Sequence, residues 1–433
     1  MASPFTDIEE VPQDPPENDF LRSVRELQVG FGAKAFRMDP SGMWLGGKSF
    51  ATAAFSVDML GNVVARSATI AGYRLFEAVV GPSGADYTTV SAALAAGKKR
   101  IFVRNGTYTD ETPWNLTVDN TFIVGESFGG VDIQFGYNTS YHVRYAAANL
   151  SLNNLRLTAY ESVDNDLIRF DGASYARVEK CILKNRRSKI FNGAFATNTS
   201  IDIIDCRIDN ASLNSGTTPN IYIFYGLSDA RVINCSLNSA INYTGTGWTL
   251  FYNCGNVLVI GGKFKETGSN DMRLANNSGT VFCEGCLFEC SNIISDAHHV
   301  GCYINNNTTS NSGYFIWLTP STTTFIGNRC NCPVDMDMLY ADSANTNVSN
   351  NYFEGGKNIF FSHTGLQIKG NIFSGNIWNS AYTLSPIVLT MDSTIYYMNC
   401  IGNTIRNNSN SFTPVITNGG TGNNVQFNQL IQG

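Results

Sequence analysis

The sequence predicts an all-β fold, a parallel β-helix (solenoid) of about eleven or more coils behind a small N-terminal β-rich segment. Three observations predict it. A triplet of positions recurs through the last two-thirds of the chain. Short strands alternate with Asn/Gly-rich turns, and no long helical periodicity follows residue 100. Composition shifts in the same direction: residues 1–190 hold 41 charged residues and 11 asparagines, and residues 191–433 hold 23 and 37.

The triplet is anchored at Leu155, Cys181, Cys206, Cys235, Gly262, Cys286, Asn328, Asn351, Asn371, Asn403 and Asn428. Three residues before each anchor stands an apolar residue or cysteine, from Leu152 and Val178 to Val425. Two residues after each stands another, from Leu157 and Leu183 to Leu430. Neither edge is buried by one repeat alone, so neighbouring repeats must stack. Equivalent residues then lie roughly 4.8 Å apart, and the apolar columns form a dry interior. Stacked asparagines at the anchor position are expected to bond amide to amide. Lys184, Asp209, Asn238, Lys265, Glu289, Asn331 and Glu354, three after their anchors, face outward with mixed charge and read as a solvated face. Further strands precede the anchors, at IYIFYG from Ile221, TLFYNC from Thr249, IFFSHTG from Ile359 and IVLTMD from Ile387.

One interval, Cys286 to Asn328, is 42 residues long. Residues 291–313 either form an extra short coil, anchored at Cys302 with Ile304 and His299 inward, or loop over the surface. Asp296, His298 and His299 make this the chain's one acid–histidine cluster.

The eleven cysteines are read as thiols. Cys283-Glu-Gly-Cys286 and Cys330-Asn-Cys332 have the spacing of zinc half-sites, but the ladder puts these residues on interior columns, where cysteine packs as a small hydrophobe. No metal and no cofactor is expected. Cys290 and Cys332 share a turn column and would approach disulfide distance if their coils were neighbours.

The net charge of −6 excludes a nucleic-acid footprint, and Arg186, Arg187 and Lys189, the single basic cluster, read as a solvated turn. No run approaches the roughly 20 apolar residues of a membrane span. The acidic, proline-rich start, MASPFTDIEEVPQDPPEND, lacks the form of a secretory signal, so synthesis in a cytoplasm is expected.

Three domains are expected: an arm over 1–30, a small segment over 31–76, and the solenoid with its capping helix over 77–433. In the segment, Asp39-Pro-Ser-Gly42 and Asp58-Met-Leu-Gly61 are turns joining strands too small to make a core of their own. The pair FRMDPSGMWLGG and AFSVDMLGNVVA resembles a segment common in tail and other structural proteins of tailed bacteriophages. The block GPSGADYTTVSAALAAGKKRIFVRNGTYTDE, from Gly81 to Glu111, resembles the entry of pectate-lyase-like right-handed β-helices, phage tailspikes among them. There a short helix, Val90 to Ala96, would cap the open tube ahead of a first strand, Ile101 to Val103. The resemblances imply a right-handed coil, a homotrimer, and attachment to other virion tail or baseplate proteins through residues 1–76. They imply a place in the virion, facing a bacterial surface polysaccharide. The last coil ends in Val425, Asn428 and Leu430, and self-distortion or another chain is expected to cover it.

Function then divides three ways: a glycan-binding tailspike or fibre, a polysaccharide depolymerase acting as hydrolase or lyase, or a decoration protein without a ligand. Cleavage would need a carboxyl pair about 5–5.5 Å or 6.5–9.5 Å apart. Asp296 with His298, and Asp342 with His363 on consecutive repeats, are the catalytic candidates; Asp335 with Asp337 and Asp164 with Asp166 form no clean acid–base pair. For glycan stacking the candidates are Tyr225, Trp248, Tyr252, Trp317 and Tyr340, near the strands that precede the anchors.

Overall fold

In the computed structural model the chain is described almost throughout residues 73–432, the longest omitted stretches being 160–165, 211–221, 240–247, 267–271, 307–312 and 363–367, and in short pieces between residues 27 and 70. It divides into two units, Met1–Glu77 and Ala78–Gly433.

In the first unit five strands, Leu27–Val29, Phe36–Asp39, Gly42–Leu45, Phe55–Asp58 and Val63–Ala65, form an antiparallel sheet in sequence order. The Asp39 carboxylate accepts the N–H of Ser41 at 2.7 Å and tightens the first expected turn. Trp44 is the buried member, set edge-on to Phe50 at 5.8 Å.

The second unit is a parallel β-solenoid. Three sheets of 15, 14 and 13 strands run its length, each strand paired in parallel with its equivalent one coil away. The helix Val90–Ala95 stands at its start, with the Thr89 side chain accepting the Ala92 N–H at 3.2 Å and Val90 and Ala93 buried.

The recurring triplet straddles a corner. Val178 lies in the first-sheet strand Tyr175–Glu179, and Leu183 in the second-sheet strand Ile182–Lys184. Between them the residue before each anchor takes a positive φ, as Lys180, Asp205, Asn234, Gly261, Gly285, Gly301, Gly327, Asn350, Gly375 and Gly402 do. One left-handed residue swings the chain from one sheet to the next, which favours Gly, Asn and Asp there. The expected preceding strands at Tyr222–Tyr225, Trp248–Tyr252, Asn358–Phe361 and Val388–Met391 form part of the third sheet.

The anchor column is a hydrogen-bonded ladder. Asn351 Oδ1 accepts both the backbone N–H (2.8 Å) and the side-chain amide (3.1 Å) of Asn328. Asn351 Nδ2 donates to Phe325 O (2.8 Å) and to Asn376 Oδ1 (3.0 Å). Asn376, Asn403 and Asn428 continue the pattern. In the earlier coils thiols occupy the column: Cys206 Sγ donates to Val178 O, Cys235 Sγ to Ile203 O, and Cys302 Sγ to Cys283 O.

Asn371 corrects one anchor. Phe373, not Ile368, pairs with Val348 and Cys400 in the first sheet, so the anchor of that coil is Asn376 and its partner in the second sheet is Trp378. The phrase Gly370-Asn-Ile-Phe373 is followed by Gly375-Asn-Ile-Trp378, one on each side of the same strand, and Asn371 serves the corner ahead of it by accepting the Thr346 N–H at 2.9 Å.

The long interval resolves as a coil rather than a loop. His298–Val300 pairs into the first sheet and Tyr303–Asn306 into the second. Cys302 is the anchor and Ile304 is inward. This coil separates Cys290 from Cys332: Cys290 pairs with Asn306, and the Arg329–Asn331 strand lies one step further on. Two inter-strand steps are roughly 9.6 Å, beyond the ~7 Å limit for a bridge, and both are free thiols.

All eleven cysteines are buried; burial pushes the thiols of Cys254 and Cys400 up to about 11, and although the hydrogen bond with Cys286 and then His299 pull Cys302 down, its 2% exposure still closes it to a reagent. A disulfide-exchange reagent at pH about 8 is therefore expected to titrate no thiol in the native protein and all eleven after unfolding in guanidinium. A thiol that reacts rapidly in the native state contradicts this packing.

His142 is fully buried against Phe135, rings stacked at 5.0 Å, and desolvation lowers its pKa from 6.5 to about 4. The unfolded chain therefore binds more protons between those values. The stabilisation is complete above pH 6.5 and is lost as pH falls toward about 4, a loss of about 3 kcal/mol. His298, half-exposed, shifts the same way to a lesser extent through burial and then the nearby His299. Urea midpoints of the native protein and His142→Gln, measured from pH 7 to 4, should converge as pH falls; parallel curves refute the assignment.

Candidate functional site

Parallel stacking places residues of equal register in columns, and on the outer face of the third sheet those columns collect aromatic rings. The register Ile294, Trp317, Tyr340 and Phe360 runs through four successive coils. Tyr314 lies beside it, stacked on Tyr340 at 4.5 Å and edge-on to Phe360 at 5.9 Å; Trp317 meets Tyr340 at 5.8 Å and 67°. These rings are half-buried. On these strands two adjacent residues, Phe315 and Ile316 or Met338 and Leu339, fill the core between the outward positions.

Carboxylates border this aromatic shelf. Asp337 pairs with Tyr314 across the ladder and accepts Asn358 Nδ2 at 2.6 Å. Desolvation raises its pKa, outweighing that bond and the charge of Lys357. At the far strand end lie Asp342 and Asp392, the latter accepting a short hydrogen bond from the Ser362 hydroxyl. Burial and the Asp342 charge push the Tyr340 phenol up.

A second cluster occupies the same face three coils earlier. Tyr225 and Tyr252 stack at 5.4 Å and 6°, and Tyr222 lies 4.1 Å from Tyr252. Lys189 Nζ sits 4.8 Å from the Tyr225 ring centroid and 3.6 Å from Asp166. Burial and the neighbouring phenols push Tyr222 up to about 12. Toward the start of the sheet, Asp171 is held between Arg144 and Arg169. Desolvation raises its pKa, but those two cations outweigh it and hold the carboxyl below the ordinary range.

The glycan-stacking candidates therefore share one sheet. Tyr225 and Tyr252 are in one cluster, Trp317 and Tyr340 in the other, and Trp248 begins a strand of the same sheet, its side chain being outside the described residues. Sequence reading missed Tyr222, Tyr314 and Phe360; NIFF alternates, but in YIFY and YFIWL two buried residues separate the outward rings, so strict alternation does not find Tyr222 or Tyr314. The catalytic candidates are not gathered. His298 lies on the outer face of the first sheet, where its Nδ1 accepts the Thr324 N–H at 3.1 Å. His299 points into the tube, bonded to Ser295 at 2.6 Å and packed on Phe288 and Phe325. Asp342 belongs to the third sheet, while Asp296 and His363 lie outside the described residues, as do Asp164, Arg186 and Arg187. Among the described residues no group of three or more His, Cys, Asp or Glu could hold a metal ion, and no helix is long and apolar enough to cross a membrane.

No family model matches the chain, and no curated protein matches it. Solved structures resemble it in architecture. The catalytic domain of a GH87 alpha-1,3-glucanase in complex with tetrasaccharides is 13% identical, with a TM-score of 0.40, over 81% of this chain and 68% of that one. The Azotobacter vinelandii mannuronan C-5 epimerase AlgE6 A-module is 15% identical, with a TM-score of 0.24, over 79% and 92%. The Agl-KA catalytic domain is 13% identical, with a TM-score of 0.22, over 83% and 67%.

Proposed function

We propose that this chain is a tail protein of a bacteriophage virion, tailspike- or fibre-like, whose solenoid binds a bacterial surface polysaccharide along the outer face of its third sheet. Residues 1–76 attach it to other tail or baseplate proteins, and it works as a homotrimer. The observation that carries the binding reading is the pair of aromatic clusters, Tyr222, Tyr225 and Tyr252, and Tyr314, Trp317, Tyr340 and Phe360, on one face of the solenoid. Half-buried aromatic rings on an outer sheet face suit the apolar faces of pyranose rings, and the flanking Asp337, Asn358 and Asp342 suit their hydroxyls. The wording of the FRMDPSGMWLGG and AFSVDMLGNVVA pair supports the virion assignment.

Asp337 favours a second reading, cleavage of the bound chain. A half-buried carboxyl with a raised pKa beside a sugar-stacking shelf has the character of a general acid. Incubating the protein with capsular and lipopolysaccharide preparations from a panel of bacteria, then sizing the products on gels, separates the two. Intact glycan that pulls the protein down supports binding alone. Shortened chains establish a depolymerase, and Asp337→Asn is then expected to lower the rate at least about 100-fold. Neither binding nor cleavage across the panel leaves a decoration protein.

A further inference from the structure

A groove of about 550 Å³ opens on a different face, across four coils of the first sheet. Two outward columns line it. One runs Tyr175, Ser200, Asp229, Asn256, and the other Asp202, Arg231, Leu258; Arg177, next to Asp202 in that column, lies outside the lining, its charge offset by Glu179 at 2.8 Å. Asp202 forms its floor: the side chain is 5% exposed, yet it carries a charge. Desolvation pushes its pKa up, but the bonds from Arg231 and Tyr175 and the charges of Arg231 and Arg177 outweigh this and hold it ionised. Arg231 grips both its oxygens, Nε at 2.6 Å from Oδ1 and Nη2 on Oδ2, and the Tyr175 hydroxyl adds a bond at 2.5 Å. Two of the five guanidinium donors are thereby committed, and the side chain remains 58% exposed. Above the floor, Asn256 Nδ2 donates to Asp229 Oδ1 at 3.2 Å, and the Tyr175 ring stands at the rim, 37% exposed.

We propose that this groove is a second binding site, taking a neutral polyhydroxylated ligand, a sugar residue of an uncharged glycan. It rests on the glycan-binding reading but lies on another face. The charge decides the class. Asp202 and Arg231 cancel, and Asp229 leaves the groove with one surplus negative charge, which opposes a carboxylated or phosphorylated ligand. Asp229 accepts, Asn256 both donates and accepts, and Arg231 donates, which matches adjacent hydroxyls, each donor and acceptor at once. Tyr175 supplies an apolar face for the ring.

The test uses the full chain on a printed array of neutral and uronic-acid-bearing bacterial glycans. Four proteins are compared: native, Asn256→Ala, Tyr175→Ala and Trp317→Ala. All three substituted side chains face outward, and thermal midpoints within about 2 °C of native confirm intact folding. Neutral glycans whose retention falls about tenfold in Asn256→Ala and in Tyr175→Ala support the site, whatever Trp317→Ala does to them. Retention that responds only to Trp317→Ala overturns it while leaving the third-sheet reading intact. Groove-dependent retention of acidic glycans alone overturns the assignment to neutral sugar. No retention of any glycan overturns both.

Discussion

Replacing Asn351 by leucine is expected to cost the solenoid about 3–6 kcal/mol. Leucine has the same number of side-chain heavy atoms but none of the polarity, and its branched, non-planar end adds bulk at a buried position. Its Oδ1 is the acceptor for the backbone N–H and the amide of Asn328, and its Nδ2 serves Phe325 O and Asn376 Oδ1. Asn351 is 2% exposed, so water does not replace these partners. Each orphaned buried group costs about 1–3 kcal/mol, and the ladder continues through Asn376 and Asn403, so the defect sits mid-column. Asn371→Leu is the control. Asn371 is equally buried but gives the Thr346 N–H its acceptor from the neighbouring corner, outside the ladder, and its loss should cost about 1–3 kcal/mol. Urea midpoints of the two variants decide the matter, with hydrogen exchange at the corner amides locating the defect, because a stack of coils need not unfold in one step. Equal losses at the two positions would sink the distinction between ladder and corner.

The second large effect is on recognition. Trp317→Ala and Tyr340→Ala should each weaken polysaccharide binding about tenfold, and the double variant by a factor that departs from the product of the two. Each ring offers a sugar about 1–2 kcal/mol of apolar contact that alanine cannot. The rings touch at 5.8 Å, so the two losses are expected to couple rather than simply add. Tyr225→Ala with Tyr252→Ala measures the other cluster. A polysaccharide reaching both clusters loses affinity in either pair; a short one loses it in one pair only. Surface plasmon resonance on an immobilised, panel-positive polysaccharide reads these affinities. Unchanged affinity in all four variants would remove the third sheet from the binding surface.

Much of the solenoid was legible in the chain. The interior columns are single-residue patterns repeated at coil spacing, filled mostly by apolar residues and thiols, with asparagines bonded to one another along the anchor column. His299 is the informative exception. It sits inward between Cys283 and Phe325, with Nε2 bonded to Ser295 four residues away and Nδ1 buried without a hydrogen-bond partner. Sequence alone left its coil open between two readings, because 16 residues is short for a turn of this tube and histidine is a poor guide to burial. The duplicated Gly-Asn-Ile phrase around residues 370–378 misplaced one anchor for a related reason. Both copies satisfy the local rule for a corner, and only pairing with the coils on either side separates them.

The binding faces were legible only in part. Aromatic residues near the third-sheet strands were visible, but alternation along a strand does not say which rings meet. Tyr314 and Tyr340 are 26 residues apart and touch because their strands are adjacent. The groove on the first sheet left no local trace at all. Tyr175, Asp202 and Arg231 belong to three successive coils, and none forms a motif with its chain neighbours. The sequence by itself determined the stack, since the period, the apolar columns and the anchor residues are properties of one coil repeated. The tertiary structure decided register, and with it which outward side chains share a surface. Cross-coil neighbours are set by hydrogen-bonded pairing between segments 16 to 33 residues apart, and one residue of slip would turn every one of those side chains to the opposite face.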